Sequence, residues 1–96
     1  MTKADIVSQI SEQTGMEKGD VQVTVEAFMR AVRKNLESGE NVYLRGFGSF
    51  VVKTRAAKTG RNILAKKSIQ IPAHNIPSFK PSKDFVENVK VNVKVK

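Results

Sequence analysis

Apolar residues near the start of the chain recur at helical spacing. The first three that do so are Ile6, Val7 and Ile10. Thr2 and Asp5 have the spacing of a capping box, with Asp in the usual Glu position, and this favours a helix that begins directly after Thr2. Gly15 is a stop signal, so the pattern predicts a short first helix that ends there.

A longer apolar stripe follows, in steps of four, three, one, three and four residues. Its members are Val21, Val25, Phe28, Met29, Val32 and Leu36. The acidic residues between Glu17 and Asp20 suit the positive end of a helix dipole, and Ser38-Gly39 is a stop signal. The valines between Val21 and Glu26 also alternate as in a strand, but the helical pattern continues for about four turns and favours a second helix. The two segments together predict a helical hairpin.

Beyond this hairpin the period of the apolar residues changes to two. The segment from Asn41 to Arg45 is typical of a short strand and Ser49 to Ala56 of a longer one, with Gly46-Phe47-Gly48 as the tight turn between them. Ser68 to Pro72 alternates again, after a polar and basic span, Ala57 to Lys67, that has too few apolar residues to cover a core. The two longer runs therefore predict a two-stranded ribbon that projects from the body of the protein.

The C-terminal part of the chain predicts a return to the body and a third helix. Three apolar residues return the chain to the body: Ile76, Pro77 and Phe79. Ser82 fits the N-cap of a helix whose apolar face carries Phe85, Val86 and Val89. The tail from Val91 to Lys96 alternates Val with Asn or Lys, which fits either a short strand or a disordered end.

Basic residues are concentrated in and around the predicted ribbon. Residues 1–44 contain five Lys or Arg and seven Asp or Glu, whereas residues 45–96 contain twelve and two, and the chain has a net charge of +8. No Asp or Glu occurs in the 43 residues between Glu40 and Asp84. Solvated surfaces usually mix both signs of charge, so a basic ribbon without counter-charges predicts a polyanionic partner.

Length and composition predict one domain that a second chain completes. A ribbon that takes roughly a quarter of the 96 residues leaves about 70, for which a single core is marginal. The chain has no cysteine, which excludes disulfides and thiolate metal sites, so oligomerisation is the expected source of stability. No apolar run exceeds three residues, and we therefore expect no membrane span or signal peptide and a cytoplasmic location.

Three other classes of function explain less of this pattern. We expect neither an enzyme nor a cofactor, because the basic half has two carboxylates, no nucleophile or metal constellation, and one histidine, His74, that is interpreted as a surface or hydrogen-bonded residue. An RNA-binding module would share the charge but would interleave aromatic residues with its basic strands; Phe47 and Phe50 are interpreted as core anchors instead. Binding to anionic lipid would need a basic amphipathic helix with a large apolar face.

Four motifs along the chain occur in the order found in a known family. They are Gly46-Phe47-Gly48-Ser49-Phe50, then Arg55 with Lys58, then Gly60-Arg61-Asn62, then Ile76-Pro77-Ser78-Phe79-Lys80-Pro81-Ser82-Lys83. This ordered set resembles the HU/integration host factor family of bacterial DNA-bending proteins, co-linearly over about residues 1 to 90. The resemblance implies a homodimer, or a heterodimer with a paralogue, whose two β-arms embrace double-stranded DNA in the minor groove. The implied role is architectural: bending and compacting or stabilising nucleoid DNA with weak sequence specificity.

The fold class that the resemblance implies is α+β. It comprises an N-terminal helix-turn-helix hairpin, a three-stranded antiparallel sheet with a protruding β-ribbon arm, and a short C-terminal helix, in an intertwined dimer. We expect a DNA-binding domain in residues 1–90, divided into a helical dimerisation part (1–40), a saddle and arm (41–81) and the last helix (82–90). Residues 91–96 would form a tail.

The hypothesis for the DNA-binding residues combines the charge pattern with this resemblance. The phosphate-neutralising cations are Lys53, Arg55, Lys58, Lys66, Lys67, Lys80 and Lys83, and Arg61 and Asn62 would enter the minor groove at the arm tip. The tip departs from the family, which has a proline wedge where this chain has Ile63 and a turn glycine where it has Lys66. Isoleucine also serves as an apolar wedge between base pairs, so Ile63 is included. In the alternative, Ile63 and Leu64 pack on each other or on a neighbour.

Overall fold

The computed structural model of the chain describes residues 1–62 and 67–95, with residues 59–62 and 67–69 described by their backbone. The elements are α1 (Lys3–Thr14), α2 (Lys18–Glu37), β1 (Val42–Leu44), β2 (Gly48–Arg55), β3 (Lys58–Asn62), β4 (Lys67–Ile71), β5 (His74–Pro81) and α3 (Lys83–Asn92). This order confirms the predicted α+β class, with a helical hairpin, a three-stranded sheet, a ribbon and a C-terminal helix.

Side-chain caps and a left-handed residue fix the ends of the helices. Thr2 Oγ1 accepts a hydrogen bond from the Asp5 N–H at 3.3 Å, and Asp5 Oδ2 accepts one from the Thr2 N–H at 2.9 Å. These bonds, from the Thr2 backbone first and its side chain second, hold the pKa of the Asp5 carboxyl below its ordinary value. Gly15 ends α1 with φ of 74°, a conformation that glycine adopts without strain. The predicted capping box and stop signal are therefore confirmed.

The second and third helices also begin and end close to the predicted residues. The helical alternative is correct for Val21–Glu26, because α2 runs without interruption from Lys18 to Glu37. Ser82 Oγ accepts a hydrogen bond from the Phe85 N–H at 3.3 Å, as an N-cap does. Helix α3 extends to Asn92, and no strand occurs between residues 91 and 95, so the strand alternative for this part of the tail is wrong.

Strands β1, β2 and β5 form one antiparallel sheet with β2 in the centre. The Val52 N–H points towards β1, where it donates to Asn41 Oδ1 at 2.9 Å. Its partner on the other side is Pro77, so this pair lies at a position where β5 does not donate to β2. The missing N–H of Pro77 therefore faces away from the sheet, where an edge strand tolerates proline. Pro81, four residues further along the same strand, follows the same alternation.

Strands β3 and β4 form a separate two-stranded ribbon, from the pair Lys58 and Ile71 to the pair Asn62 and Lys67. The segment Ala57 to Lys67 was expected to be only a connection, and that expectation is wrong because it contains β3. The chain measures 58 × 35 × 29 Å, and its radius of gyration is 18.9 Å, against about 12–13 Å for a compact chain of this length. The structure thus has the protruding arm that the sequence predicts.

The core of the isolated chain is small. Among the described hydrophobic residues only Val7 and Val21 are buried. An open apolar groove of about 730 Å³ lies between α2 and the sheet, and Phe28 at its wall is 47% exposed. The apolar residues that line the groove are Phe28, Met29, Val32, Leu36, Phe50, Val52, Ile76 and Pro77. A groove of this kind is what a second chain is needed to fill.

Candidate nucleic-acid interface

The strand register divides the sheet into two chemically different faces. Partners in an antiparallel pair have their side chains on the same face, and successive residues alternate between faces. The inner face carries Phe50, Val52, Pro77 and Phe79 and contributes to the groove beside α2. The opposite side, called the outer face below, carries Tyr43, Ser49, Val51, Lys53, Arg55, His74, Ile76, Ser78 and Lys80.

The outer face collects the exposed cations of the sheet. Lys53 and Arg55 lie two residues apart on β2, and Lys80 lies on β5 opposite Ser49. All three are exposed, and no carboxylate belongs to any of the three strands. The two ion pairs among the described side chains both lie on the helices, Lys3 with Glu26 at 3.8 Å and Arg33 with Glu37 at 3.5 Å. The cations of the outer face are therefore not neutralised by carboxylates within the described part of the chain.

The ribbon continues the line of basic residues away from the body. Lys58 begins β3 and is exposed. Arg61 and Asn62 end β3, and Lys67 faces Asn62 in the last pair before the tip, so the backbone brings these three to the far end of the ribbon. The other two predicted tip residues, Ile63 and Lys66, lie outside the described residues.

The last predicted cation, Lys83, is the first residue of α3 and is exposed. Two hydrogen bonds hold this end of the helix against the turn after β1. The Ser82 N–H donates to the Phe47 carbonyl at 2.9 Å, and Ser82 Oγ donates to the Gly46 carbonyl at 3.2 Å. Lys83 therefore lies directly after the strand end that carries Lys80, at the body end of the basic surface.

Two outer-face neighbours were not among the predicted DNA-binding residues. An open depression of about 450 Å³ is lined by Tyr43, Arg45, Ser49 and Lys80, together with adjacent backbone. The signal for the first two was present in the sequence. In the predicted strand from Asn41 to Arg45, alternation places Tyr43 and Arg45 on the face opposite Val42 and Leu44.

Aromatic rings support this surface from below. The ring centroids of Phe47 and Phe79 are 5.2 Å apart, those of Phe50 and Phe79 are 4.9 Å apart, and those of Phe47 and Phe85 are 5.5 Å apart. These contacts join the turn, the two long strands and α3 in one cluster. The interpretation of Phe47 and Phe50 as packing residues therefore fits the structure.

His74 is the exposed partner of Arg55 at the base of the ribbon. Its Nδ1 lies 3.0 Å from the Pro72 carbonyl oxygen, a hydrogen bond in which the ring nitrogen is the donor. In the described residues no group of three His, Cys, Asp or Glu side chains is close enough to hold a metal ion. No helix within this part of the chain is long and apolar enough to cross a membrane.

A helical body, an antiparallel sheet and a projecting basic ribbon define a class of small α+β proteins that present unpaired cations to a polyanion. Comparison with known proteins gives the family. The profile of the family described as "Bacterial DNA-binding protein" matches residues 1–90. The chain belongs to this family of bacterial DNA-binding proteins, which confirms the resemblance to HU and integration host factor.

Individual relatives match almost the whole chain. DNA-binding protein HU of Thermus thermophilus is 43% identical over 90 residues, which cover 94% of this chain and 93% of the relative. Integration host factor subunit alpha of Vibrio cholerae is 42% identical over 94 residues, covering 95% and 96%. The Anabaena HU–DNA cocrystal structure aligns with a TM-score of 0.89 at 32% identity and covers 94% of this chain and 98% of that one.

Proposed function

We propose that this protein is an architectural protein that binds double-stranded DNA through the minor groove with weak sequence specificity and bends it. The observation that carries the proposal is the continuous basic surface, which runs from Lys80 and Lys53 on the outer face to Lys58 on the ribbon without a carboxylate on any strand. Membership of the family supports DNA as the polyanion. No observation on the described residues favours the RNA alternative, and this family is not one of enzymes.

The cations would act on the phosphates. Phosphate contacts position a protein on the duplex without reading its sequence, and the minor groove distinguishes little beyond A·T from G·C. The proposed phosphate contacts are Lys53, Arg55, Lys58, Lys66, Lys67, Lys80 and Lys83. Binding should therefore depend more on the shape and deformability of the DNA than on its base sequence.

The ribbon tip would supply the bend. In this proposal Arg61 and Asn62 enter the minor groove and Ile63 inserts between base pairs as an apolar wedge. The DNA need not be bent by the protein if it is already nicked or kinked, which saves about 1–6 kcal/mol for a smooth site. Nicked and four-way-junction DNA should accordingly bind more tightly than an intact linear duplex.

The functional unit is a dimer. The groove beside α2 leaves Phe28 and Met29 about half exposed in a single chain, at 47% and 45%. A second copy, or a paralogue, would bury these residues and add the second arm that an embracing grip on DNA requires. Both the homodimer and the heterodimer are consistent with the relatives, which include HU and a subunit of integration host factor.

The test is a gel-shift series with linear, nicked and four-way-junction duplexes at two ionic strengths, with single-stranded RNA as competitor. For about 6–10 phosphate contacts, raising salt from about 50 to about 200 mM should weaken binding by roughly 10³–10⁵-fold. Junction and nicked DNA should bind ahead of linear DNA, and RNA should compete poorly. Affinity that is nearly independent of salt would exclude this mechanism, and RNA that outcompetes every duplex would replace DNA as the ligand.

A matched pair of variants separates the wedge from the cations. Ile63→Ala should mainly reduce the bend angle, or the preference for distorted DNA, whereas Lys58→Ala should weaken binding to all duplexes alike. Bend angles are measured by fluorescence energy transfer between labelled DNA ends. An Ile63→Ala protein that bends DNA as the parent does would remove Ile63 from the mechanism.

A further inference from the structure

A single exposed tyrosine stands at the edge of the outer face. Tyr43 is the middle residue of β1 and is 72% exposed. The strand register aligns it with Ser49 and, through Ser49, with Lys80. A tyrosine left in water contributes little by burial, so its hydroxyl group needs an explanation.

The orientation of that hydroxyl is set by Asn41. Asn41 Oδ1 accepts a hydrogen bond from the Val52 N–H at 2.9 Å. A main-chain N–H only donates, so the atom that faces it must be the carboxamide oxygen, and this leaves the amide nitrogen on the other side. Asn41 Nδ2 lies 3.3 Å from the Tyr43 hydroxyl oxygen and donates to it. The Asn41 side chain thus links the backbone of the central strand to the tyrosine.

This contact leaves the hydroxyl hydrogen of Tyr43 available. A carboxamide nitrogen carries hydrogens and accepts no hydrogen bond, so the hydroxyl must accept from Asn41 and direct its own hydrogen elsewhere. Within the described part of the chain no hydrogen bond donated by Tyr43 is present. Arg45 and Lys80 line the same depression and make its surroundings positive. An oriented neutral donor between two cations fits an anionic oxygen.

We propose that the Tyr43 hydroxyl donates a hydrogen bond to a DNA phosphate and that Asn41 is the residue that positions it. This inference rests on the proposed function and names a contact outside the ribbon, at the edge of the sheet. It also has a distinctive signature. A neutral donor releases no counterion when it binds a phosphate, so it adds affinity without adding to the salt dependence.

The first experiment compares Tyr43→Phe with Lys80→Ala on one linear duplex across a salt series. Tyr43→Phe removes only the hydroxyl and should weaken binding by about 3- to 10-fold at every salt concentration, with an unchanged slope of log K against log salt. Lys80→Ala should instead reduce the magnitude of the slope by about 0.9 for each phosphate that the variant no longer neutralises. Equal affinity of Tyr43→Phe and the parent overturns the inference, as does a reduced slope in Tyr43→Phe.

A double-mutant cycle with Asn41→Ala tests the positioning role. If Asn41 acts through Tyr43, Asn41→Ala should weaken DNA binding in the parent and change it little in the Tyr43→Phe background, whereas additive effects would contradict the positioning role. Thermal melting and sedimentation of the free proteins verify that each variant folds and dimerises. Failure of the parent itself to bind duplex DNA would refute the proposed function, whereas a parent that binds only as well as Tyr43→Phe refutes only the hydroxyl contact.

Discussion

Removal of one outer-face cation should change the salt dependence of DNA binding by a calculable amount. Lys53 is exposed, lies in the centre of the outer face and belongs to neither of the ion pairs among the described side chains. Lys53→Ala should therefore leave the free energy of unfolding within about 0.5 kcal/mol of the parent, as for an ordinary surface change. Its effect should be confined to the DNA complex.

The magnitude follows from counterion release. Each neutralised phosphate contributes about 0.9 to the slope of log K against log salt, so removing one lysine from each chain of a homodimer should reduce the slope by about 1.8. Between about 50 and about 200 mM salt, this difference in slope makes the affinity ratio of parent to Lys53→Ala shrink by roughly tenfold. Fluorescence anisotropy with a labelled linear duplex measures both slopes directly.

Lys34→Ala is the matched control, because it removes the same charge from the last turn of α2 rather than from the sheet. Its slope should equal that of the parent. Parallel lines for the parent and Lys53→Ala would refute the reasoning. A Lys34→Ala protein whose slope falls as much as that of Lys53→Ala would show that net charge, and not the outer face, controls binding.

Three further predictions concern stability and assembly. The depressed pKa of Asp5 means that its contribution to stability is present above the ordinary carboxyl pKa of 3.8 and is lost as pH falls through the lower folded value; acid titrations followed by circular dichroism should lack this component in Asp5→Asn. Gly48→Ala should destabilise the fold by about 1–3 kcal/mol in thermal melting, because the new Cβ would lie 2.6 Å from the Lys80 carbonyl oxygen, whereas Gly19→Ala, with no atom within 4 Å, should not; equal melting of the two would contradict the close approach. Val32→Glu places a charge in the groove and should shift sedimentation to the monomer, while Val23→Glu, on an exposed part of the same helix, should remain dimeric; a dimeric Val32→Glu would exclude the groove as the contact.

The helices were predictable because two independent signals agree for them. The stripe from Val21 to Leu36 has a period that only a helix provides, and the caps at Thr2 and Ser82 act through hydrogen bonds between residues three apart. Both signals are local, so they can be read without knowledge of the tertiary structure. The same holds for the turn after β1.

The strands of the arm were harder to predict because hydrophobic alternation reports a buried face. Strand β3 is polar and basic and pairs only with β4, so it has no such face to report. Strand β5 contains Pro77 and Pro81, which weaken a strand pattern and become acceptable only because β5 is an edge strand. Both facts depend on the pairing partner, which the local sequence does not specify.

The candidate site was predicted in outline from charge alone. Absence of acidic residues between Glu40 and Asp84 indicated the basic surface, and the register then placed Lys53, Arg55 and Lys80 on one face. The roles of these residues towards DNA stay predictions, as does the wedge at Ile63. The link from Asn41 to Tyr43 depends on the position of the Val52 N–H on the neighbouring strand, eleven residues away, and has no sequence signature.

Lysine footprinting tests the central claim most directly. The free protein and its complex with a nicked duplex are acetylated briefly, and modification at each lysine is measured by mass spectrometry. Lys53, Lys58 and Lys80 should be protected by DNA, while Lys34 on α2 should react equally in both states. Protection of Lys34 with undiminished reactivity of the three sheet and ribbon lysines would contradict the account.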